Sequence, residues 1–390
     1  MRAVGWGWGI AAAGLLLGVA ACGGSSPSGA TSATVSSSAA PSTEPSPSSS
    51  LSTGSETPGP TPAATDSWAA RSIPLGQTVA MALDPAAVYA LYQPGGGQTP
   101  ADDPARTRVA RLDRRSGALR TGDQLPAAAS IAVSGGSLWV AAQITEGSAT
   151  DTRILYRLDP ATLVVRQRIP LAPLADPSTV NSLPVLAEGA PGGLWLGLGG
   201  RIHLLSTVTG RVLLSRDLGE RATAASMSID PTGQRLYVGT ANAASLVTVT
   251  EWNATIGTLL ASAKAPGGDL GGPRVAADRG GVWIAFATGM AGSLERLRGS
   301  DLAATTNPHS PSFMSPSGQA HSNAVRASLG GGVLWITDRD VECADPTTGA
   351  LRAHTGFPIS AGQVVADSSG AYLGTFAGLE VLRPDQRCSR

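Results

Sequence analysis

The side chains able to do chemistry on this 390-residue chain are few and scattered. Two histidines, His309 and His321, stand twelve residues apart in a stretch rich in Pro, Ser and Gly that also holds Met314. Two imidazoles alone do not make a tetrahedral metal site, and the sequence places no further ligand beside them. Asp102 and Asp103 are adjacent carboxylates that could meet calcium, but they lack the spaced Asp/Asn/Gly pattern of a calcium loop. Glu146, Asp151, Asp176 and Asp269 are single carboxylates in polar segments, and Arg274 and Arg326 each open a short apolar run. The remaining candidates are the three cysteines, Cys22, Cys343 and Cys388. No Gly-x-Ser-x-Gly elbow, His-Glu-x-x-His pair, P-loop or dinucleotide glycine pattern is present. The set points to ligand binding by hydrogen bonds and charge, with no cofactor and no metal implied.

What must position these groups is a repeat. Seven times a short apolar run, a tight Gly/Asp/Pro turn and an aromatic inside a second apolar run recur, the aromatics being Tyr89, Trp139, Trp195, Tyr237, Trp283, Trp335 and Tyr372. They are 50, 56, 42, 46, 52 and 37 residues apart. A period of about 40–50 residues built from short strands marks a β-propeller with one four-stranded blade per repeat. The fold class expected is therefore all-β, a seven-bladed propeller of antiparallel blades. The inner pair is cleanest at Ser130-Ile131-Ala132-Val133 followed by Leu138-Trp139-Val140, where small polar residues alternate with β-branched ones as in strands packed between neighbours. An outer-pair turn recurs at Asp113–Gly117, Asp159–Thr162, Ser206–Gly210 and Asp345–Gly349, where the first side chain can cap backbone N–H groups. These Asp residues, and the repeated aromatics, are read as structural.

Only two residues follow Cys388, too few for an outermost seventh-blade strand. The segment Ala70–Leu75 resembles Arg166–Leu171, the outermost strand of blade two. The N-terminal segment is thus expected to supply the missing strand, closing the ring and covering an edge. By repeat alignment Cys343 falls in the third strand of blade six and Cys388 after the third-strand turn of blade seven. A disulfide between neighbouring blades and two buried free thiols both remain open.

Links between first and second strands, and between third and fourth, should share one face and be short. The other face should carry the long links, Gln93–Thr107, Gln143–Thr152, Pro173–Leu183, Ala265–Pro273, Thr288–Ser293 and Ala304–Asn323. Loops on a rigid scaffold are where binding residues concentrate. The candidate binding face accordingly comprises Asp102, Asp103, Glu146, Asp151, Asp176, Asp269, His309 and His321, with Arg274 and Arg326 at the beginnings of inner strands, facing the channel mouth.

The ends and the composition bound the setting. Arg2 precedes an uncharged apolar stretch from Ile10 to Ala21, too short to span a bilayer core of about 30 Å. Val19-Ala20-Ala21-Cys22, followed by Gly23-Gly24, resembles the bacterial lipobox, in which the cysteine is lipidated, with palmitate among the acyl groups, and becomes the new N-terminus; an ordinary signal cut at Ala-x-Ala is the other reading. Residues 1–22 are thus the signal, 23–67 a Ser/Pro/Thr/Ala linker expected to be disordered, and 68–390 the propeller. A coil of that linker's length reaches roughly 35–40 Å. Basic and acidic residues number 28 each, and Lys264 is the only lysine. Without a basic stripe, nucleic acid is not an expected partner, and Arg usage suggests a GC-rich genome, as in a high-GC Gram-positive bacterium. The setting expected is the extracytoplasmic face of the cell membrane, the state a monomer.

The phrase Gly-x-Leu-Trp-Val with a following Leu-Asp-Pro-x-Thr resembles the seven-bladed superfamily of YVTN-type repeat proteins, quinoprotein amine dehydrogenase-like domains and virginiamycin B lyase-like proteins. The likeness covers roughly residues 70 to 388. It implies a ring scaffold and two catalytic precedents. Virginiamycin B lyases use a histidine with an acidic, Mg²⁺-binding cluster, and quinoprotein dehydrogenases hold their cofactor through tryptophan-rich repeats. Neither constellation maps onto this chain residue by residue. Two function classes follow: a non-catalytic, membrane-tethered scaffold that binds an envelope protein, peptide or cell-wall glycan; and a lyase or quinone-dependent oxidoreductase with its site at the channel mouth.

Overall fold

The computed structural model describes residues 68–95, 106–144, 152–174, 183–189, 192–219, 222–242, 247–265, 273–288, 291–305, 321–322, 325–337, 340–356, 361–383 and 386–389. The first strand in the chain is β1 (Ala69–Pro74). Blade one is β2 (Gln77–Leu83), β3 (Ala87–Gln93), β4 (Thr107–Asp113) and β5 (Leu119–Leu125); blade two is β6 (Ala128–Ser134), β7 (Ser137–Ile144), β8 (Thr152–Leu158) and β9 (Val165–Pro170). Blade three is β10 (Val185–Glu188), β11 (Gly193–Leu198), β12 (Arg201–Ser206) and β13 (Val212–Asp217); blade four is β14 (Ala222–Ile229), β15 (Arg235–Asn242), β16 (Val247–Asn253) and β17 (Leu259–Ala265). Blade five is β18 (Arg274–Ala277), β19 (Gly281–Thr288), β20 (Ala291–Arg298) and β21 (His321–Ser322); blade six is β22 (Arg326–Gly330), β23 (Val333–Thr337), β24 (Asp340–Ala344) and β25 (Leu351–Gly356). Blade seven is β26 (Ala361–Asp367), β27 (Gly370–Thr375) and β28 (Gly378–Leu382), completed by β1 in the order β1-β28-β27-β26. Every first strand packs on the first strand of the next blade, and β26 packs on β2, so the seven sheets form a closed ring.

Each repeated aromatic lies in a second strand, and Trp139, Trp195 and Trp283 are fully buried. Trp195 Nε1 donates to the Ala254 carbonyl of the next blade (3.2 Å) and Trp283 Nε1 to Pro346 (2.7 Å), so a buried indole pins two blades together without an unpaired N–H. The small polar residues of the inner strands have the same role. Leu186 N–H donates to Ser130 Oγ (3.0 Å), and Val275 and Ala277 N–H donate to Ser226 and Ser228 Oγ (3.1 and 3.0 Å), each across a blade boundary.

The outer turn is built once and used six times. In each copy the fifth residue donates its N–H to the carbonyl of the first: Gly117 to Asp113, Leu163 to Asp159, Gly210 to Ser206, Gly257 to Asn253, Leu302 to Arg298 and Gly349 to Asp345. That fifth residue has positive φ, between 54° and 74°. Glycine adopts this freely; leucine does not. Leu163 occupies it because its buried side chain packs over Gly122, where a Cβ would come within 3.0 Å. Sequence reading found the copies at Asp113, Asp159, Ser206 and Asp345; Asn253, which reads as a glycosylation sequon, is the blade-four copy.

These turns and one buried imidazole set an acid limit. Asp113, Asp159 and Asp345 accept turn N–H groups, which hold their carboxyls down at about 2, against an ordinary 3.8, with neighbouring Arg side chains assisting. Their contribution to stability is full above about 3.8 and is lost as pH falls toward 2. His203, with Nδ1 2.8 Å from Ser215 Oγ, is held down at about 4 from 6.5, by burial first and the Arg201 charge second. The unfolded chain therefore takes up this proton between 6.5 and 4 while the folded one does not, and stability falls through that window. Glu188 and Glu295, raised above 4.5 by burial, act in the opposite sense. The expected result is that a His203→Asn variant loses less stability than the parent between pH 6.5 and 4 in urea titrations; parallel curves would show that the imidazole does not carry the effect.

Three devices close the ring. β1 pairs antiparallel with β28 from Ala69↔Leu382 to Pro74↔Gly378, as the N-terminal segment was expected to do. Arg114, in the blade-one outer turn, clasps Asp367 of blade seven through two bonds of 2.7 and 2.6 Å. Cys343 of β24 and Cys388, in a 3-10 turn after β28, form a disulfide joining blades six and seven. Of the two cysteine readings, the bridge is the one the structure adopts.

Candidate functional site

The first strands run from the face carrying the long links to the face carrying the short turns. Their starting residues therefore rim one mouth of the central channel. Into that mouth opens a cavity of about 990 Å³ to which all seven first strands contribute. β-Bulges near the mouth interrupt four of them, between Thr78 and Ala80, Ala128 and Ser130, Ala224 and Ser226, and Ala361 and Val364. A bulge leaves one residue out of the ladder and re-aims its neighbours, a feature common beside functional sites.

Arg274 and Arg326 open β18 and β22, on adjacent blades, and both line the cavity. They are the only charged residues among the described ones that do. Arg274 is anchored where a bulge frees a carbonyl: its Nη1 donates to Ala225 O at 3.0 Å. Its guanidinium is pulled down to about 10 by burial and then by the Arg326 charge, and burial likewise lowers Arg326. Around the pair stand Gln77, Gln93 and Gln143, at the mouth ends of β2, β3 and β7, with Met81, Met227 and Phe376 as apolar wall. Gln363, in the blade-seven bulge, accepts the Met81 N–H at 3.0 Å and ties the wall to blade one. Sequence reading selected the two arginines but missed the glutamines and Phe376. A Gln at the channel-mouth end of an inner strand pair recurs in blades one and two and could have been found.

The other site candidates fare differently. Asp102, Asp103, Glu146, Asp151, Asp176, Asp269 and His309 lie outside the described residues, as do Cys22 and the whole segment 1–67. His321 is in β21, the outermost strand of blade five, opposite Gly292. This corrects the placement of Ala304–Asn323 as a blade-to-blade link. Ala304 bridges Leu297 and Thr305 N–H donates to Arg296 O (2.8 Å), so the fourth strand starts there, is interrupted, and resumes at His321. The insertion interrupts an outer strand, because sheet order places the fourth strand farthest from the channel. His321 is thereby separated from the arginine pair. Among the described residues no group of three or more His, Cys, Asp or Glu could hold a metal ion.

The chain is thus a seven-bladed β-propeller whose channel mouth carries two half-buried arginines in an amide-rich, partly apolar wall. No protein-family model matches it, and no curated protein does. Among solved structures it is similar to BamB from Moraxella catarrhalis, at 13% identity over 78% of this chain and 82% of that one, with a TM-score of 0.47. It is also similar to the Pan2 WD40 domain of Neurospora crassa, at 9% identity over 78% of this chain and 88% of that one, with a TM-score of 0.53. At such identities the likeness is one of fold.

Proposed function

We propose that this protein is a binding protein of the cell envelope: lipid on Cys22 tethers it to the extracytoplasmic face of the membrane, residues 23–67 act as a spacer, and the propeller receives an envelope protein, peptide or cell-wall ligand at its channel mouth without transforming it. The observation that carries the reading is the cavity. Its volume is at the upper end of the usual range for ligand sites, and its lining combines a few polar groups with apolar wall, as such sites do. The disulfide agrees with an oxidising compartment. A frame closed by strand exchange, ion pair and disulfide holds the rim residues in fixed relation, which favours binding by limiting the ordering cost.

The test is photo-crosslinking on whole cells, with benzoylphenylalanine at Phe376 on the mouth rim or at Val208, 74% exposed in an outer turn of the opposite face. Adducts from position 376 and none from 208 are expected. Equal labelling from both, or none from 376, would remove the mouth as the binding face. Run in parallel, Cys22→Ser should release the protein into the medium; continued membrane association would overturn the tether. Turnover of added quinone or Mg²⁺-dependent substrate cleavage by the purified protein would favour the lyase or oxidoreductase reading.

A further inference from the structure

We infer that the group recognised at the channel mouth is an oxyanion, a carboxylate or phosphate borne by an organic ligand, held between Arg274 and Arg326. This rests on the reading of the mouth as the binding site and adds the chemistry of what binds there. The two guanidinium-bearing residues start the inner strands of adjacent blades and line the same cavity. Within the protein, Arg274 uses one of its five N–H donors, on Ala225 O. That bond fixes the side chain at the rim, and planar guanidinium donors match the two oxygens of a carboxylate or the edge of a phosphate.

Because the two guanidinium-bearing residues line one cavity from adjacent blades, an oxyanion there can take planar, charge-assisted donors from both, whereas a cation would meet like charge. The rest of the lining decides the body of the ligand. Glutamine amides both donate and accept, Ser130, Ser226 and Ser328 add hydroxyls, and Met81, Met227 and Phe376 offer apolar contact, so the cavity suits an anion attached to an organic frame more than a bare ion. A ligand of this kind gains charge-assisted bonds in a partly desolvated site, where they are stronger than in water.

The experiment uses the full-chain protein, titrated with sodium citrate, with inorganic phosphate and with choline chloride at matched ionic strength, followed by calorimetry and thermal unfolding. Saturable binding of citrate, of phosphate or of both is expected, with none for choline; the preferred anion identifies a carboxylate or a phosphate source. Arg274→Gln and Arg326→Gln should each weaken it by about tenfold or more, the loss expected for one charge-assisted bond. If Arg274→Gln fails to fold because Ala225 O loses its donor, Arg274→Lys keeps the charge without the planar fork and should bind at intermediate strength. Absence of saturable binding by either anion, or Gln variants that bind as the parent does, overturns the inference. Loss of the crosslinks from position 376 marks failure of the binding reading itself, whereas crosslinks that persist without anion binding remove the oxyanion alone.

Discussion

A chain beginning at Leu75, without β1, should not fold cooperatively. β1 is the outermost strand of blade seven, and Ile73 on it is buried against Leu379 and its neighbours. Just ahead of it, Trp68 packs edge-on to Trp335 of blade six, ring centroids 6.4 Å apart, and its carbonyl accepts the Arg383 N–H at 2.7 Å. Truncating a buried Trp costs about 3–5 kcal/mol and a buried Ile about 2–5, before any backbone pairing is counted. Whole domains are stable by only about 5–15 kcal/mol. The deletion also exposes the β28 edge, an invitation to aggregation. Trp68→Ala is the milder test: its urea midpoint should fall by an amount worth about 3–5 kcal/mol with the slope unchanged. A deleted chain that unfolds at the parent's urea concentration would show that β1 does not close the ring.

Loss of the Cys343–Cys388 bridge should have the next largest effect. The bond spans 45 residues of sequence, and constraining a loop of that length in the unfolded state is worth about 4 kcal/mol. Both cysteines are buried, at 0% and 2% exposure, so a reductant must wait for local opening. Dithiothreitol is expected to lower the parent's stability slowly, by about 3–4 kcal/mol, and to leave a Cys388→Ala variant unchanged from its already reduced value. Equal stability of parent and variant would sink the idea. The position of the bond explains its weight. It fastens the segment after β28, in the blade that β1 completes, so both ends of the propeller are secured where the ring has no continuous covalent backbone.

Several features were legible before any coordinates because they are local. Asp113, Asp159 and Asp345 cap their own turns, glycine at the fifth turn position relieves a positive φ, and the aromatic of each second strand recurs in every repeat. Such signals depend on residues within a few positions of one another. Leu302 hid the blade-five copy of the turn, because a buried leucine there takes the positive φ that glycine takes elsewhere. The blade-five insertion was misread for a related reason. β21 is two residues long, too short for any alternation pattern, and only its pairing with Ala291 and Gly292 reveals it as a strand.

By itself, then, the sequence determined the number of blades, their turn chemistry and the strand that closes them, since each is written in short-range periodicity. Tertiary structure decided the cavity. Its lining takes two to five residues from each of seven first strands about 47 positions apart, and no local pattern links Gln77 to Arg274, Arg326 or Phe376. That Arg274 and Arg326 share one cavity, and that Cys343 meets Cys388, follow from the packing of consecutive blades, whereas Arg114 meets Asp367 and β1 meets β28 only because the ring closes, since burying seven sheet faces against one another leaves no other arrangement without an open edge.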